Sequence, residues 1–177
     1  MLKKAYVVSG LPASGKSTVG RVLATDLGLC FLDKDEFLEA LFAKRGVGDL
    51  AWRQRLSRES DALFEAAARA GDSAVLVSHW RPDRGQTSSG TPTTWLSDAY
   101  SDVVEIYCVC SASDALRRFL ARTRHAGHCD ALRDRDTLDR WMRDYGRRLP
   151  LGLGRVINVD TTHEPDIRTL VRQLRDA

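Results

Sequence analysis

The sequence predicts a three-layer α/β/α fold, in which helices cover both faces of a five-stranded parallel sheet. Short apolar runs rich in β-branched residues alternate with longer helical stretches along the chain. These runs do not carry a polar residue at every second position, which is typical of strands covered on both faces. Alternation of this kind favours parallel strands joined by crossover helices.

Five short segments are predicted to form the strands. They begin at residues 4, 29, 74, 103 and 155 and read KAYVVS, LCFLD, AVLVS, VVEIYCV and RVINVD. Helices are predicted over 16–27, 35–44, 50–70 and from 113 to about 124. A further helix is indicated by apolar residues at i, i+3, i+4 and i+7, namely Leu138, Trp141, Met142 and Tyr145. Pro165 opens the last helix, since proline is tolerated in a first helical turn.

Length and composition fit one domain spanning 1–177. Of the 177 residues 43% are hydrophobic, which is enough to bury a core. No segment reads as a signal peptide or a membrane span, and the four cysteines show neither CxxC pairing nor metal-ligand spacing. We therefore expect a reduced, cytoplasmic protein with no membrane partner and with buried free thiols at Cys30, Cys108 and Cys110. Its oligomeric state is not predicted.

Charge is distributed unevenly along the chain. The formal net charge is only +3, but the segment from Arg117 to Arg148 holds ten Arg and five Asp. A local excess of cations indicates an anionic ligand nearby.

The segment between the first strand and the first helix reads GLPASGKST, from Gly10 to Thr18. Two glycines with four residues between them, followed by Lys-Ser and placed between a strand and a helix, form a P-loop. Its backbone N–H groups and the helix N-terminus face a polyphosphate, while Lys16 adds a positive charge and Ser17 is the expected Mg²⁺ ligand. The predicted nucleotide-binding residues are Gly10, Ala13, Ser14, Gly15, Lys16, Ser17 and Thr18.

Two carboxylates follow the second strand in FLDKDEF. In a doubly wound sheet the carboxyl ends of the strands face the ligand crevice, so Asp33 and Asp35 are expected near the γ-phosphate. One could orient or deprotonate an acceptor hydroxyl and the other could support Mg²⁺. The alternative is that both aspartates only cap the following helix.

Together, these two motifs resemble the P-loop kinases of small molecules and of 5′-hydroxyl ends. That group includes the shikimate and gluconate kinases, the zeta-toxin-like kinases and the kinase domain of phage polynucleotide kinase. The resemblance implies a P-loop NTPase fold, MgATP as the cofactor, Asp35 at the acceptor hydroxyl and Asp33 as the carboxylate near Mg²⁺.

The same resemblance implies a small arginine-bearing lid at about 122–136. Arg122 and Arg124 are the predicted catalytic lid residues, with Arg118 behind them, because guanidinium pairs phosphate oxygens and stays charged. A solvated basic helix face is the alternative for any one of these arginines. By resemblance, Asp160, Thr161 and Thr162 lie near the adenine; an ordinary turn before Pro165 is equally compatible.

The acceptor pocket is expected to include the loop at about 80–97, which is rich in Pro, Gly, Ser and Thr. By resemblance to the shikimate branch, Arg53 is the substrate-clamping arginine. Arg81 and Arg84 could grip an acidic group, and Trp80 or Trp95 could stack on a ring.

At two places the sequence departs from the motifs of other P-loop proteins, and each departure disfavours a class of function. Ser78 stands where many P-loop enzymes end the third strand with an aspartate, and no NKxD guanine-reading motif occurs, which disfavours a motor or GTPase. Leu38 stands where phage polynucleotide kinase has an arginine for the 3′-phosphate, which disfavours a nucleic-acid end. We expect an ATP-dependent kinase that phosphorylates a hydroxyl of a small molecule. A 5′-hydroxyl polynucleotide kinase and a nucleotide-binding regulatory module without transfer activity are the alternatives.

Overall fold

The computed structural model describes residues 3–82, 90–130 and 133–175 and contains one five-stranded, all-parallel sheet. Its order is β2-β3-β1-β4-β5. The strands are β1 (Lys4–Gly10), β2 (Cys30–Asp33), β3 (Ala74–Val77), β4 (Asp102–Val109) and β5 (Arg155–Asp160). The predicted fold class and all five strands are confirmed.

Seven α-helices occur in the described parts of the chain. They are α1 (Lys16–Leu27), α2 (Lys34–Arg45), α3 (Leu50–Ala70), α4 (Leu96–Ala99), α5 (Ala112–Ala121), α6 (Arg135–Gly146) and α7 (Ile167–Arg175), and a 3-10 turn covers Ala126–His128. Helix ends differ from the prediction by one to three residues, with α7 beginning at Ile167 rather than at Pro165, and two differences bear on the site. The short α4 occupies the end of the expected 80–97 loop, and α5 ends at Ala121, so Arg122 and Arg124 lie beyond the helix.

The two faces of the sheet pack against different helices. On one face α1 and α7 cover strand residues such as Val8 and Ile106. On the other face Phe64 of α3 packs with Trp80 and Trp95, which are 0% and 5% exposed. The prediction that either tryptophan stacks on an acceptor ring is therefore wrong, because both indoles are part of the core.

A buried carboxylate joins three distant parts of the chain. Glu105 of β4 is fully buried and accepts a hydrogen bond from the Ser9 hydroxyl of β1. It also accepts from the backbone N–H groups of Leu151, Gly152 and Leu153, at 2.8, 2.8 and 3.1 Å. The segment between α6 and β5 is thus tied to the centre of the sheet.

All four cysteines are free thiols. Cys108, Cys110 and Cys129 are buried, but Cys30 is exposed because β2 is an edge strand, which corrects the expectation for that residue. No helix in the part of the chain that the structure describes has the length and apolar character needed to cross a membrane.

Candidate active site

A cavity of about 700 Å³ opens at the carboxyl edge of the sheet. The P-loop, the start of α2, the first half of α3, α6 and the segment after α5 contribute to its wall. Among the described residues that line it, three are aspartates, Asp33, Asp35 and Asp130, and seven are cations, namely Lys16, Lys34, Arg53, Arg118, Arg122, Arg124 and Arg133. The cavity therefore carries an excess of positive charge, which suits an anionic ligand.

The P-loop has the tight backbone that its glycines predict. At Gly10, φ is 142°, and a Cβ there would lie 2.6 Å from Ser14 Oγ and 2.8 Å from the Cys108 carbonyl oxygen. Only glycine fits this close approach without displacing its neighbours. Of the predicted nucleotide-binding residues, Ala13, Gly15, Lys16, Ser17 and Thr18 line the cavity, whereas Gly10 and Ser14 shape the loop from behind.

Lys16 is a half-buried cation whose ammonium has only neutral hydrogen-bond partners among the described residues. Its Nζ donates to the carbonyl oxygens of Gly10 and Leu11, at 3.1 and 2.8 Å. Burial lowers the pKa of this ammonium to about 8, against smaller opposing effects of Cys108 and the two aspartates. A buried ammonium without a carboxylate at hydrogen-bonding distance fits a phosphate ligand.

Asp33 has two roles in the structure. Its carboxylate accepts a hydrogen bond from the Asp35 backbone N–H at 3.0 Å and so caps α2. Its other oxygen accepts from the Ser17 hydroxyl at 2.6 Å. Burial raises the pKa of Asp33, and the hydrogen bond from Ser17 opposes this shift.

The pair of oxygens from Ser17 and Asp33 fits Mg²⁺, which commonly takes one or two protein ligands and completes its shell with phosphate and water. Within residues 3–82, 90–130 and 133–175 no cluster of three or more His, Cys, Asp or Glu could hold a metal ion alone.

Asp35 is paired with Arg124, one of the two predicted lid arginines. Arg124 Nη2 lies 2.5 Å from Asp35 Oδ2, and Arg124 Nη1 lies 3.2 Å from Asp130 Oδ2. Burial would raise the pKa of Asp35, but Arg124, His128 and Lys34 together lower it. The carboxylate is therefore ionised at neutral pH, and half of its side chain remains exposed in the cavity.

The segment of residues 122–130, here called the lid segment, also packs on α2. Phe42 lies between two lid histidines, stacked on His125 at 5.3 Å and edge-on to His128 at 5.5 Å between ring centroids. His128 is fully buried, and its Nε2 lies 2.8 Å from Glu39 Oε1. Both histidines therefore hold the lid segment against α2.

The other two lid-side arginines differ in their surroundings. Arg122 lines the cavity and makes no hydrogen bond to a described residue; its guanidinium lies 4.6 Å from the Phe119 ring centroid. Arg118 donates to the Thr162 carbonyl oxygen at 2.7 Å. Arg118 therefore joins the lid side to the segment after β5, while the Arg122 guanidinium retains its donors.

A smaller depression of about 370 Å³ adjoins the P-loop. It is lined by Gly15, Thr18, Val19, Arg118 and residues 161–165. Thr161 and Thr162 thus lie beside the P-loop, while Asp160 is not among the residues of this lining and instead accepts from the Thr162 N–H at 2.8 Å. The expected nearness to the adenine stays a prediction for the two threonines.

The predicted acceptor residues separate into two groups. Arg53 lines the cavity, and its buried Nε has no hydrogen-bond partner among the described residues. Arg81 is absent from the described lining, and its Nη2 donates to the Gly90 carbonyl oxygen at 3.0 Å. The structure therefore does not bring Arg81 to the cavity. Arg84 lies outside the described residues.

A polar network on the cavity wall formed by α3 was not predicted. Lys34 Nζ donates to Ser57 Oγ at 2.7 Å and lies 3.8 Å from Asp61 Oδ1, which accepts from Thr91 at 2.7 Å. Thr91 in turn contacts Ser78, the residue that replaces the usual third-strand aspartate. The spacing of Arg53, Ser57 and Asp61, at i, i+4 and i+8 of one helix, is the signal that could have indicated a shared face.

His79 is a second residue of the cavity that no sequence motif predicted. It lines the cavity between β3 and α6 and packs on Tyr145, with ring centroids 4.4 Å apart. Burial lowers its pKa to about 3, and the nearby Lys16 and Lys34 add to this shift. The imidazole is therefore neutral at physiological pH, and its buried Nδ1 has no partner among the described residues.

A parallel sheet in this order, a P-loop after β1 and an arginine-bearing segment over the same cavity define a P-loop kinase. Comparison with known proteins agrees. The sequence model of a family described as AAA domain matches residues 6–148, and the chain belongs to this family.

Individual relatives are kinases that act on different small molecules. A shikimate kinase of Symbiobacterium thermophilum is 42% identical over 73 residues, 40% of this chain and 41% of its own length. A cytidylate kinase of Pyrobaculum aerophilum is 27% identical over 158 residues, 86% of this chain and 72% of its own length. The matched segments span less than half of each curated shikimate kinase.

Solved structures give the same fold. The crystal structure of a kinase candidate from Chloroflexus aurantiacus has a TM-score of 0.79 at 29% identity and covers 99% of this chain and 98% of its own. Shikimate kinase from Acinetobacter baumannii, in complex with shikimate, has a TM-score of 0.58 at 20% identity and covers 99% and 92%. The chain is thus related in sequence and fold to small-molecule kinases.

Proposed function

We propose that this protein is a kinase that transfers the γ-phosphoryl group of ATP to a hydroxyl of a small-molecule acceptor. The observation that carries the proposal is the meeting of Lys16, Asp35 and Arg124 at one cavity. A phosphate-binding cation, an ionised carboxylate and a guanidinium are the groups that phosphoryl transfer to a hydroxyl requires. The relatives named as shikimate kinase and cytidylate kinase support this reaction class.

In the proposed reaction, ATP is the phosphoryl donor, and a bound Mg²⁺ would neutralise charge on its phosphates. Lys16 and the P-loop N–H groups bind the phosphates, while Ser17 and Asp33 provide the oxygen ligands for the metal. Asp35 accepts a hydrogen bond from the acceptor hydroxyl and takes its proton as the acceptor oxygen bonds to the γ-phosphorus. The bond between that phosphorus and the β,γ-bridging oxygen breaks, and ADP leaves. Its low pKa keeps it ionised for that role.

Arg122 and Arg124 stabilise the transferred charge in this proposal. Arg122 lines the cavity with no hydrogen bond to a described residue, so its donors remain available for phosphate oxygens. We further propose that 122–136 acts as the lid and 80–97 as the acceptor-side loop of a single kinase domain spanning 1–177. Residues 83–89 and 131–132 of these segments lie outside the described residues.

Turnover of ATP against pooled acceptors tests the proposal. The pools hold sugars, sugar acids, nucleosides, aminoglycosides and 5′-hydroxyl oligonucleotides, and ADP formation is measured. We expect one small-molecule pool to stimulate ADP formation, and Asp35→Asn and Lys16→Ala each to reduce kcat at least about 100-fold. Asp26→Asn and Lys44→Ala, at exposed helix positions, serve as matched controls and should retain wild-type turnover.

Other outcomes would favour the alternatives. Stimulation only by 5′-hydroxyl oligonucleotides, with a steep dependence on salt, would indicate a polynucleotide kinase. Tight ATP binding without turnover in any pool would indicate a regulatory module. Wild-type turnover by Asp35→Asn would refute the assigned role of that carboxylate.

A further inference from the structure

His79 is a cavity residue to which the proposed reaction assigns no role. It follows the last residue of β3 by two positions, and β3 lies between β1 and β2 in the sheet. β1 leads into the P-loop with Lys16, and β2 leads through Asp33 to Asp35. The imidazole therefore lines the cavity between the phosphate-binding end and the carboxylate assigned to the acceptor hydroxyl.

Contacts on the ring and on the backbone hold His79 in position. The imidazole centroid lies 4.4 Å from the ring of Tyr145 and 5.3 Å from the ring of Trp141, both on α6. The His79 carbonyl oxygen accepts from the Thr91 N–H at 2.8 Å. The Tyr145 hydroxyl donates to the carbonyl oxygen of the next residue, Trp80, at 2.7 Å. A side chain supported in this way can position a ligand.

The two ring nitrogens of His79 have different surroundings. Nδ1 is buried and has no partner among the described residues. Nε2 likewise makes no hydrogen bond to a described residue, but it is not enclosed, so a ligand in the cavity can reach it. Burial lowers the pKa of the imidazole to about 3, so the neutral ring carries one proton at physiological pH. We assign that proton to Nε2, because an N–H enclosed at Nδ1 would have no acceptor.

A neutral donor in this position suits an uncharged oxygen. Lys16 and Lys34 add to the lowering of the His79 pKa by burial, whereas Asp35 opposes it. Ammonium groups bind anions more strongly than a neutral imidazole does, so a phosphate or another anion is expected at the lysines. The hydroxyl that is phosphorylated lies at Asp35 in the proposed reaction. The Nε2 donor therefore remains for another uncharged oxygen of the same ligand.

We propose that His79 Nε2–H donates a hydrogen bond to a second hydroxyl of the acceptor, distinct from the hydroxyl at Asp35. This inference rests on the proposed function, because it assigns the space beside Asp35 to the acceptor. The acceptor is then a polyol, and His79 is a specificity-determining residue. An acceptor that lacks the second hydroxyl leaves the Nε2 donor unpaired in a closed cavity, which weakens its binding.

Nitrogen-15 NMR of protein labelled at histidine tests the donor without any ligand. Loss of signals in His79→Phe identifies the resonances of His79. We expect the Nε2–H tautomer at pH 7 and a ring that stays neutral at pH 5, because burial lowers its pKa to about 3. A histidine with an ordinary pKa of about 6.5 is mostly protonated at pH 5. An Nδ1–H tautomer, or a protonated ring at pH 7, would overturn the proposal.

Binding of matched polyols tests the second hydroxyl without requiring turnover. The probes are D-glucose, D-gluconate and cytidine, each compared with its 2-deoxy and 3-deoxy derivatives (2′ and 3′ for cytidine). Affinities are measured by calorimetry in the presence of a non-hydrolysable ATP analogue and Mg²⁺. We expect at least one probe to bind at least about fivefold more tightly than one of its deoxy derivatives, as the loss of one neutral hydrogen bond implies.

Four variants isolate the Nε2 donor. His79→Phe keeps the aromatic packing and should reduce that preference to less than about twofold. His79→Gln places an amide nitrogen near the position of Nε2 and should retain part of the preference, whereas His79→Asn, with its amide near Nδ1, should not. Tyr107→Phe removes a polar group from an aromatic residue outside the described cavity lining and should bind as wild type does. If His79→Phe unfolds, the comparison of Gln with Asn still tests the donor.

The outcomes separate this inference from the proposed function and from a structural role. A preference lost in His79→Phe and retained in His79→Gln supports the inference even if no pool is phosphorylated. A structural role would weaken a polyol and its deoxy derivative equally, and that result would overturn the inference. So would equal affinities of every polyol and its deoxy derivatives in the wild type. A His79→Phe variant that loses affinity for the ATP analogue alone would place the donor at a phosphate and refute the assignment, while leaving the kinase proposal intact.

Discussion

Burial of the Lys16 ammonium determines the charge at the P-loop end of the cavity. Lys16 would have a pKa near 10.5 in water, but burial among carbonyl oxygens lowers it to about 8. The ammonium is therefore mostly protonated at neutral pH, but it loses its proton at a lower pH than an exposed lysine does. A ligand with phosphate groups supplies the missing counter-charge and restores a high pKa.

This difference predicts proton uptake when ATP binds above pH 8. The free protein loses the Lys16 proton as pH rises through about 8, whereas the phosphate complex keeps it, so ATP affinity falls with rising pH. Calorimetry in buffers of different ionisation enthalpy measures the protons taken up. We expect uptake to rise from pH 7 towards one proton at pH 9 to 10, and Lys44→Ala to give the same curve. A constant ATP affinity across this range would contradict the assignment.

The sequence predicts the residues fixed by local motifs better than those fixed by distant packing. The P-loop and the end of β2 predict Lys16, Ser17 and Asp33 as site residues, and the structure brings these three together.

The environment of Lys34 could not be predicted in this way. In the sequence Lys34 resembles an exposed residue at a helix start, because its burial depends on Ser57 and Asp61 of another helix. Arg81 was placed on the cavity from its loop position, but its guanidinium turns to the backbone of Gly90.

At the scale of elements, the lid segment is attached to α2 by aromatic packing. Gly127 lies against Phe42, and a Cβ at this glycine would be 2.6 to 2.7 Å from three carbons of the ring. Phe42 is 2% exposed and has little room to move. Position 127 therefore requires glycine, because the backbone lies so close to the Phe42 ring that a Cβ would overlap it.

Substituting this glycine should displace the lid. In Gly127→Ala we expect a loss of about 1–3 kcal/mol in the free energy of unfolding, because the methyl group overpacks the contact. We also expect a lower kcat, since Arg124 is held by the same segment. Urea denaturation and ADP formation measure the two effects. Gly71→Ala, whose Cβ meets only the Ala67 carbonyl oxygen at 3.6 Å, is the control and should lack both.

The lid segment also shows why the end of α5 could not be predicted from the sequence. The sequence from Ser113 to Arg124 supports a continuous helix, yet α5 ends at Ala121. Its end is set by the contacts of Arg124 with Asp35, 89 residues away in sequence, and of the lid histidines with Phe42. Local propensity does not contain such long-range contacts.

At the scale of the whole molecule, Glu105 connects the sheet to the segment that follows the lid and α6. Three backbone N–H groups and one hydroxyl converge on its carboxylate in the interior. The alternation of strands and helices predicts the layers around this residue, but a charged residue within an apolar strand gives no indication of its partners.

Glu105→Gln should destabilise the entire fold. The amide nitrogen would face a backbone N–H or the Ser9 hydroxyl, and at least one hydrogen bond to a charged group would be lost, at a cost of about 1.5–3 kcal/mol. Urea denaturation followed by circular dichroism gives the free energy of unfolding. Glu59→Gln removes the exposed pair with Arg45 and should cost less than about 1 kcal/mol. If both substitutions lower the free energy of unfolding by the same amount, the buried carboxylate contributes no more to stability than the exposed one.

The contact between Arg124 and Asp35 has a consequence for the timing of the proposed reaction. One guanidinium cannot hold Asp35 and a phosphoryl group with the same donors. In the structure Arg124 pairs with Oδ2 of Asp35, so this carboxylate oxygen is not open to a hydroxyl. In the proposed reaction, we expect bound nucleotide to draw the guanidinium towards the phosphates and to release that oxygen. If the proposed roles of Asp35 and Arg124 hold, we therefore expect an ordered mechanism in which nucleotide binds first and the acceptor second, so that both oxygens of Asp35 become available only when a phosphoryl donor is present.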